Sequence, residues 1–185
     1  MTAACARPLK LYAISGSLRA LSTNRAMLEA FRSSAPDGVI IDIDDLLGTL
    51  PIFNPDMEGH LTPAAVLALA QKVADADGLI IASPEYAHGI PGGLKNALDW
   101  LVSRSEIPGK PVMLVRASSR SDFSHAALQE VLRTMSVALM PQTGFAVHLI
   151  GRKPDEIERL LCEGGLRREM AEALEGFAAW IGAER

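Results

Sequence analysis

A chain of 185 residues, nearly half of them apolar and with a net charge of −4, is long enough for one sizeable core and too apolar to stay disordered. The mild acidity argues against a nucleic-acid surface, which would show a basic patch. No apolar run approaches the about 20 residues of a membrane span, and the N-terminal "MTAACARPLK" lacks the apolar stretch of a signal peptide, so a cytoplasmic protein without a membrane partner is expected.

In chain order, residues 1–8 read as a flexible tail, with Cys5 a tail thiol. Residues 9–14 form a first apolar strand, 15–22 a loop, and 24–33 a helix with Ala26, Met27, Ala30 and Phe31 on one side. "GVIIDIDDL" alternates into a second strand over 39–43. Residues 48–61, "GTLPIFNPDMEGHL", form a long loop of the kind that often has a function. Thr62 and Pro63 supply a cap residue and a first-turn proline for a helix reaching about residue 75. A third strand covers 78–83, and after a Pro/Gly-rich loop a helix runs over 92–103. The nearly all-apolar 111–117 is a fourth strand, expected to be central and covered on both faces. Residues 124–139 are helical, 145–149 a fifth strand, and 154–161 and 167–180 helical. Cys162 reads as a surface or helix thiol; it and Cys5 have no C-x-x-C spacing, which makes disulfide and zinc readings poor.

Strands alternating with helices imply an α/β fold, a parallel sheet with helices on both faces, in a single domain. Ligands of such sheets sit beyond the carboxyl ends of the strands. That rule selects the loops at 15–24, 83–93 and 117–125.

The first of these, "SGSLRALSTN", carries hydroxyls at Ser15, Ser17, Ser22 and Thr23, a glycine that permits close approach, and the planar cation of Arg19. With the N–H groups of the following helix start it suits a monophosphate. It is neither a Walker loop nor a G-x-G-x-x-G fingerprint. The same residues also suit a turn with capping serines and a solvated arginine. In the second loop Tyr86 can stack on a flat ring, and Gly89, Gly92 and Gly93 leave room for backbone amides. Lys95 and Asn96 open the next helix and can point to the same crevice. Taken singly, Glu85, Tyr86 and His88 also fit an exposed loop; as a group they favour a site. Trp100 fits core or a subunit interface better than ligand contact. Asp56, Glu58 and His60 make only a faint metal pattern, so no metal is expected there. Asp42, Asp44 and Asp45 hint only weakly at ribose binding without the glycine fingerprint.

The stretches "GSLRALSTN" (16–24), "LPIFNPDME" (50–58) and "PEYAHGIPGGLKNALDW" (84–100) resemble the NADPH-dependent FMN reductase family of flavodoxin-like proteins over most of residues 9–150. The resemblance implies a doubly wound five-stranded parallel sheet in the order 2-1-3-4-5, one non-covalent FMN, NADPH or NADH as electron donor, and a homodimer or homotetramer. Ser15, Ser17, Arg19, Ser22 and Asn24, with Leu18 among them, would hold the flavin at its phosphate. Pro84, Glu85 and Tyr86, with the backbone of Ala87, His88 and Gly89, would line the ring. Many relatives have Asn and Ser where Ala87 and Gly89 stand. In the third loop many have Gly-Gly followed by Arg; here the stretch reads "ASSRSDFSHAAL". Ser118 and Ser119 would reach the cofactor, and Arg120, His125 and Lys95 the substrate. His125 would be cationic only below about 6.5, and Asp122 could cap the helix near Ser124.

With no nucleophile set in the sequence, the chemistry falls to the cofactor. The expected function is an FMN-dependent NAD(P)H oxidoreductase acting on a small-molecule acceptor such as a quinone, azo dye, metal oxyanion or free flavin. A flavodoxin-type electron carrier and a non-catalytic flavodoxin-like binding domain are the alternatives.

Overall fold

In the strands, neighbouring side chains alternate between two apolar surroundings, and this places helices on both faces. The computed structural model describes residues 7–118, 121–141 and 144–183. Strands β1 (Leu9–Ser15), β2 (Val39–Ile43), β3 (Gly78–Ala82) and β4 (Pro111–Arg116) are parallel, in the order β2-β1-β3-β4. Leu11, Ala13, Ile80, Ala82, Met113 and Val115 pack on one side, with α1 (Thr23–Ser33), α5 (Pro154–Leu161) and α6 (Gly164–Ala183). Tyr12, Ile14, Leu79, Ile81, Val112 and Leu114 pack on the other, with α2 (Ala64–Asp75), α3 (Gly92–Leu101) and α4 (Asp122–Thr134).

The fifth position beside β4 is shared by two short strands, β5 (Ala138–Leu139) and β6 (Phe145–Ala146). Pro141, which has no N–H to give a ladder, lies between them. The sheet thus has the expected order 2-1-3-4-5, but its last strand is split and starts earlier than residue 145. The helix expected over 124–139 ends at Thr134, and Ser136 turns the chain with φ of 59°. Val137–Met140 has helical spacing, yet Ala138 and Met140 donate to Lys110 and Val112 carbonyls at 3.0 and 2.9 Å, and sheet pairing prevails.

Two other expectations change at the helix ends and the tail. Thr62 does not cap α2: its hydroxyl donates to the Gly59 carbonyl at 2.8 Å, and Pro63 occupies the cap position. Arg7, read with the tail, forms a two-pronged pair with Asp77 at 2.6 and 2.8 Å; residues 1–6, Cys5 included, lie outside the described residues.

The register sets the site. Ser15 pairs with Ala82, and Ala82 with Val115, so β1, β3 and β4 release their loops at one level of one edge.

Candidate functional site

The first loop is folded by its own serines. Ser15, the last residue of β1, is buried, and its Oγ accepts from the Ser17 amide at 3.4 Å. Ser22 caps α1, its Oγ accepting from the Arg25 amide at 3.2 Å. Asn24 is only 4% exposed, yet among the described residues its Oδ1 has no hydrogen-bond partner. A buried amide oxygen left unpaired is costly and points to a missing donor. Gly16 was expected to admit a ligand. Its missing side chain admits α3 and the second loop: a Cβ there would stand 3.0 Å from Leu94 Cδ2 and 3.3 Å from Pro84 Cδ.

The second loop is a tight hairpin. Tyr86 and Gly89 exchange backbone hydrogen bonds at 3.2 and 3.0 Å, with Ala87 and His88 at φ of 50° and 57°. Tyr86 is about half exposed, its hydroxyl 3.3 Å from Ser17 Oγ, so the two loops meet. Glu85, expected beside a ring, has both carboxylate oxygens engaged: Oε2 accepts from the Ser124 amide at 2.9 Å and Oε1 lies 3.1 Å from His88 Nδ1. Glu85 thus caps α4 from the neighbouring strand's loop. Asp122 does not cap; it pairs with Arg116. Ser124, fully buried, donates its hydroxyl to the Pro84 carbonyl at 3.1 Å and fastens the third loop to the second.

These loops enclose a cleft of about 440 Å³ at the carboxyl edge of the sheet. It is lined by Ser17, Arg19, Ser22 and Asn24 from the first loop, Pro84, Glu85 and Tyr86 from the second, and Ser118 from the third. The remaining expected residues that the structure describes lie apart from this lining. Ser15 sits beneath the loop; Ala87, His88 and Gly89 form the hairpin tip, where His88 packs edge-on against Phe123 at 4.7 Å. Leu18 lines a second cavity of about 330 Å³ with Gly16, Arg19, Tyr86 and Pro91–Gly93. Lys95 is paired with Asp99 along α3. His125 stands on α4 beside Arg116; burial, then this cation, lowers its pKa. Ser119 and Arg120 lie outside the described residues.

Sequence reasoning missed the fourth wall. Ile150, Gly151, Arg152, Pro154 and Ile157, from the loop after β6 and the start of α5, also line the cleft. The carboxyl-edge rule applies equally to that loop, and "GRKP" holds a turn glycine, a cation and a proline for the helix start.

The acids near β2 are structural. Asp44 is buried and accepts the Tyr12 hydroxyl and the amides of Leu46 and Leu47 at 3.0 and 3.1 Å. Burial, then the Asp44 charge, raises the Tyr12 pKa. Asp42 pairs with Lys72 at 2.6 Å. Among the described residues no group of three or more His, Cys, Asp or Glu could hold a metal. No described helix is long and apolar enough to cross a membrane.

A doubly wound parallel sheet with a hydroxyl- and cation-lined loop beside an aromatic loop, both at its carboxyl edge, defines a flavodoxin-like nucleotide-binding protein. The chain belongs to the NADPH-dependent FMN reductase family, which matches residues 9–150. It is 31% identical to a 2-hydroxy-1,4-benzoquinone reductase of a Burkholderia species, over 94% of this chain and 96% of the relative. It is 32% identical to a quinone reductase of Escherichia coli strain K12, over 94% and 95%. Among solved structures it resembles the flavoenzyme FerB, an NAD(P)H:(acceptor) oxidoreductase of Paracoccus denitrificans, with a TM-score of 0.77 and 22% identity over 95% of this chain and 98% of that one; this likeness speaks to the fold.

Proposed function

We propose that the chain is an FMN-dependent NAD(P)H oxidoreductase whose acceptors are small molecules, quinones foremost. The observation that carries this is the cleft itself: a buried, unpaired Asn24 oxygen, the Ser17 and Ser22 hydroxyls and the Arg19 cation lie on one wall, and Tyr86 with Pro84 on the next. This donor set fits a flavin mononucleotide. Serine hydroxyls, a cation and the N-terminus of α1 suit a phosphate. An unpaired amide oxygen suits a hydroxyl of the ribityl chain, and an aromatic side chain with a stiff proline suits a ring. FMN, when bound, supplies the hydride and electron transfer between nicotinamide and acceptor.

The protein's own part is to bind and orient. Ser17, Ser22 and Arg19 hold the phosphate end and Asn24 the adjoining ribityl chain, with Ser15 fixing the Ser17 backbone. Pro84 and Tyr86 border the ring, with the Ala87–Gly89 tip just outside the lining, and Ser118 approaches from the third loop. Glu85 is a positioning residue: its carboxylate ties the ring-side hairpin to α4, so the second and third loops hold one spacing. Association as a homodimer or homotetramer and a cytoplasmic setting, where nicotinamide donors are supplied, belong to the same reading.

Heat denaturation of the purified protein should release a flavin that co-migrates with FMN, and the native protein should oxidise NADH or NADPH continuously with benzoquinone present. A colourless protein that takes up no added FMN would refute the reading. Bound FMN without steady NAD(P)H oxidation would point to an electron carrier.

A further inference from the structure

Arg152 lies beyond the span of residues that matches the family, and the resemblance assigns it no role. It nevertheless lines the cleft. Among the described residues the charged side chains of that lining are Arg19, Glu85 and Arg152, and Glu85 is already engaged by Ser124 and His88. Among the described residues neither arginine has a carboxylate within salt-bridge distance. Six of the nine other arginines among the described residues are ion-paired: Arg7, Arg25, Arg32, Arg104, Arg116 and Arg133. The cleft therefore presents two uncompensated cations and no free acid, an arrangement that calls for an anion.

The turn that presents Arg152 is built. Val147 and Leu149 donate to the carbonyls of Arg116 and Ala117 at 2.8 and 3.1 Å, carrying the sheet's ladder up to the loop. Gly151 takes φ of 84°, open to glycine at little cost. The Arg152 amide donates to Leu149 at 3.3 Å, and its Nε donates to the His148 carbonyl at 3.1 Å. The stem is thus anchored, and the two terminal nitrogens make no hydrogen bond or ion pair among the described residues. Pro154 and Ile157, just beyond, share with Ser22 and Thr23 the lining of a further cavity between α1 and α5. This places the Arg152 loop at the α1 end of the cleft, where the buried Asn24 oxygen lies unpaired, rather than at the Tyr86 end.

We propose that Arg152 is a second phosphate-binding cation of the flavin site, closing on the FMN phosphate from strands on the far side of β3 and β4 from Arg19. The inference rests on the FMN reading above. Two guanidinium forks on one dianion make the phosphate the main determinant of cofactor choice, so FMN is selected over riboflavin by this pair.

The test compares FMN and riboflavin binding to flavin-free full-length protein by quenching of flavin fluorescence. Arg152→Ala should weaken FMN binding by about tenfold or more and leave riboflavin within about twofold, the signature of a lost charge-assisted bond. Arg152→Lys should recover part of the loss. Increasing ionic strength should weaken FMN binding more steeply in the wild type than in Arg152→Ala. Melting curves of the ligand-free proteins should coincide; should Arg152→Ala melt early, Arg152→Gln, which keeps a polar stem on this exposed turn, is read instead. Unchanged FMN binding, or equal losses for both flavins, overturns the proposal. A wild type that binds neither flavin overturns the FMN reading itself.

Discussion

Ala87 and His88 hold the two left-handed positions of a turn that asparagine and glycine fill at least cost, and the hairpin keeps them there through the Tyr86–Gly89 bonds, the Glu85–His88 contact and the Phe123 ring. The tip of the ring-side loop is therefore held by its neighbours rather than by its own sequence. His125 is the other residue whose surroundings override its type. Burial and Arg116 push its pKa below the usual 6.5, so it offers no cation at neutral pH, and it lies outside the cleft lining. The unfolded chain protonates this histidine near its ordinary pKa, whereas the folded one resists. Below that value the unfolded state binds more protons, and acid favours it. His125 thus contributes stability that is complete above pH 6.5 and is lost as the pH falls through its lower folded value. Urea unfolding should show the wild type losing more stability than His125→Gln between about pH 7 and pH 5, because the unfolded histidine titrates in that window. Equal losses would mean that burial and Arg116 together do not hold the folded pKa of His125 below its ordinary value.

Among the elements, α3 does more than cover the sheet. Asn96 accepts from the Phe53 amide at 2.8 Å and donates to the Pro51 carbonyl at 2.9 Å, and the Trp100 indole donates to the same carbonyl at 2.8 Å. Phe53 packs edge-on against Trp100 with centroids 5.0 Å apart. Trp100 is thus core within this chain, and α3 is the anchor of the long loop that runs from β2 towards α2. Asn96→Ala would remove both of its bonds and leave the Phe53 amide without that acceptor. A loss of about 1–3 kcal/mol is expected in urea unfolding, together with faster proteolysis within residues 48–61. A loop that stayed resistant would show that Trp100 alone holds it. This anchoring was not legible in the sequence, since Asn96 and Pro51 are distant in the chain. The strands and most helices were legible, because β1, β3 and β4 are apolar on both faces and Pro or Gly mark the loops. The early end of α4 was not: residues 137–140 fit a helix by spacing, and only pairing with β4 makes them a strand. The first two loops could be read from their serines, arginine, tyrosine and glycines. The capping role of Glu85 and the wall that bears Arg152 could not, because each depends on which loops the sheet order sets side by side.

At the scale of the whole molecule, five of the eleven large apolar side chains left exposed among the described residues, Leu18, Leu21, Tyr86, Phe123 and Ile150, lie at or beside the cleft. Leu18 is 62% exposed and Tyr86 48%, and both border the second cavity; Leu21 lines the cleft itself, and Phe123 rests on His88. Scattered apolar residues on a surface mean little, but a group of them around one cavity marks a surface that something covers. Leu21 and Tyr86 face the cleft and can be covered by ligand. Leu18 is turned the other way: it contacts the positions of Gly48 and Gly93, where added Cβ atoms would come within 3.5 and 3.4 Å of its methyls. In the homo-oligomer proposed above, a second copy of the chain would cover Leu18 and close the outer side of the Tyr86 loop at the same time. The protein should therefore scatter light as a dimer or tetramer at micromolar concentration. Leu18→Glu, which sets a charge in that contact at an exposed position, should shift it towards monomer without lowering its melting point by more than the loss of association explains. A wild type that is monomeric under these conditions, or a Leu18→Glu variant that associates as before, would leave this face to solvent and place any assembly elsewhere.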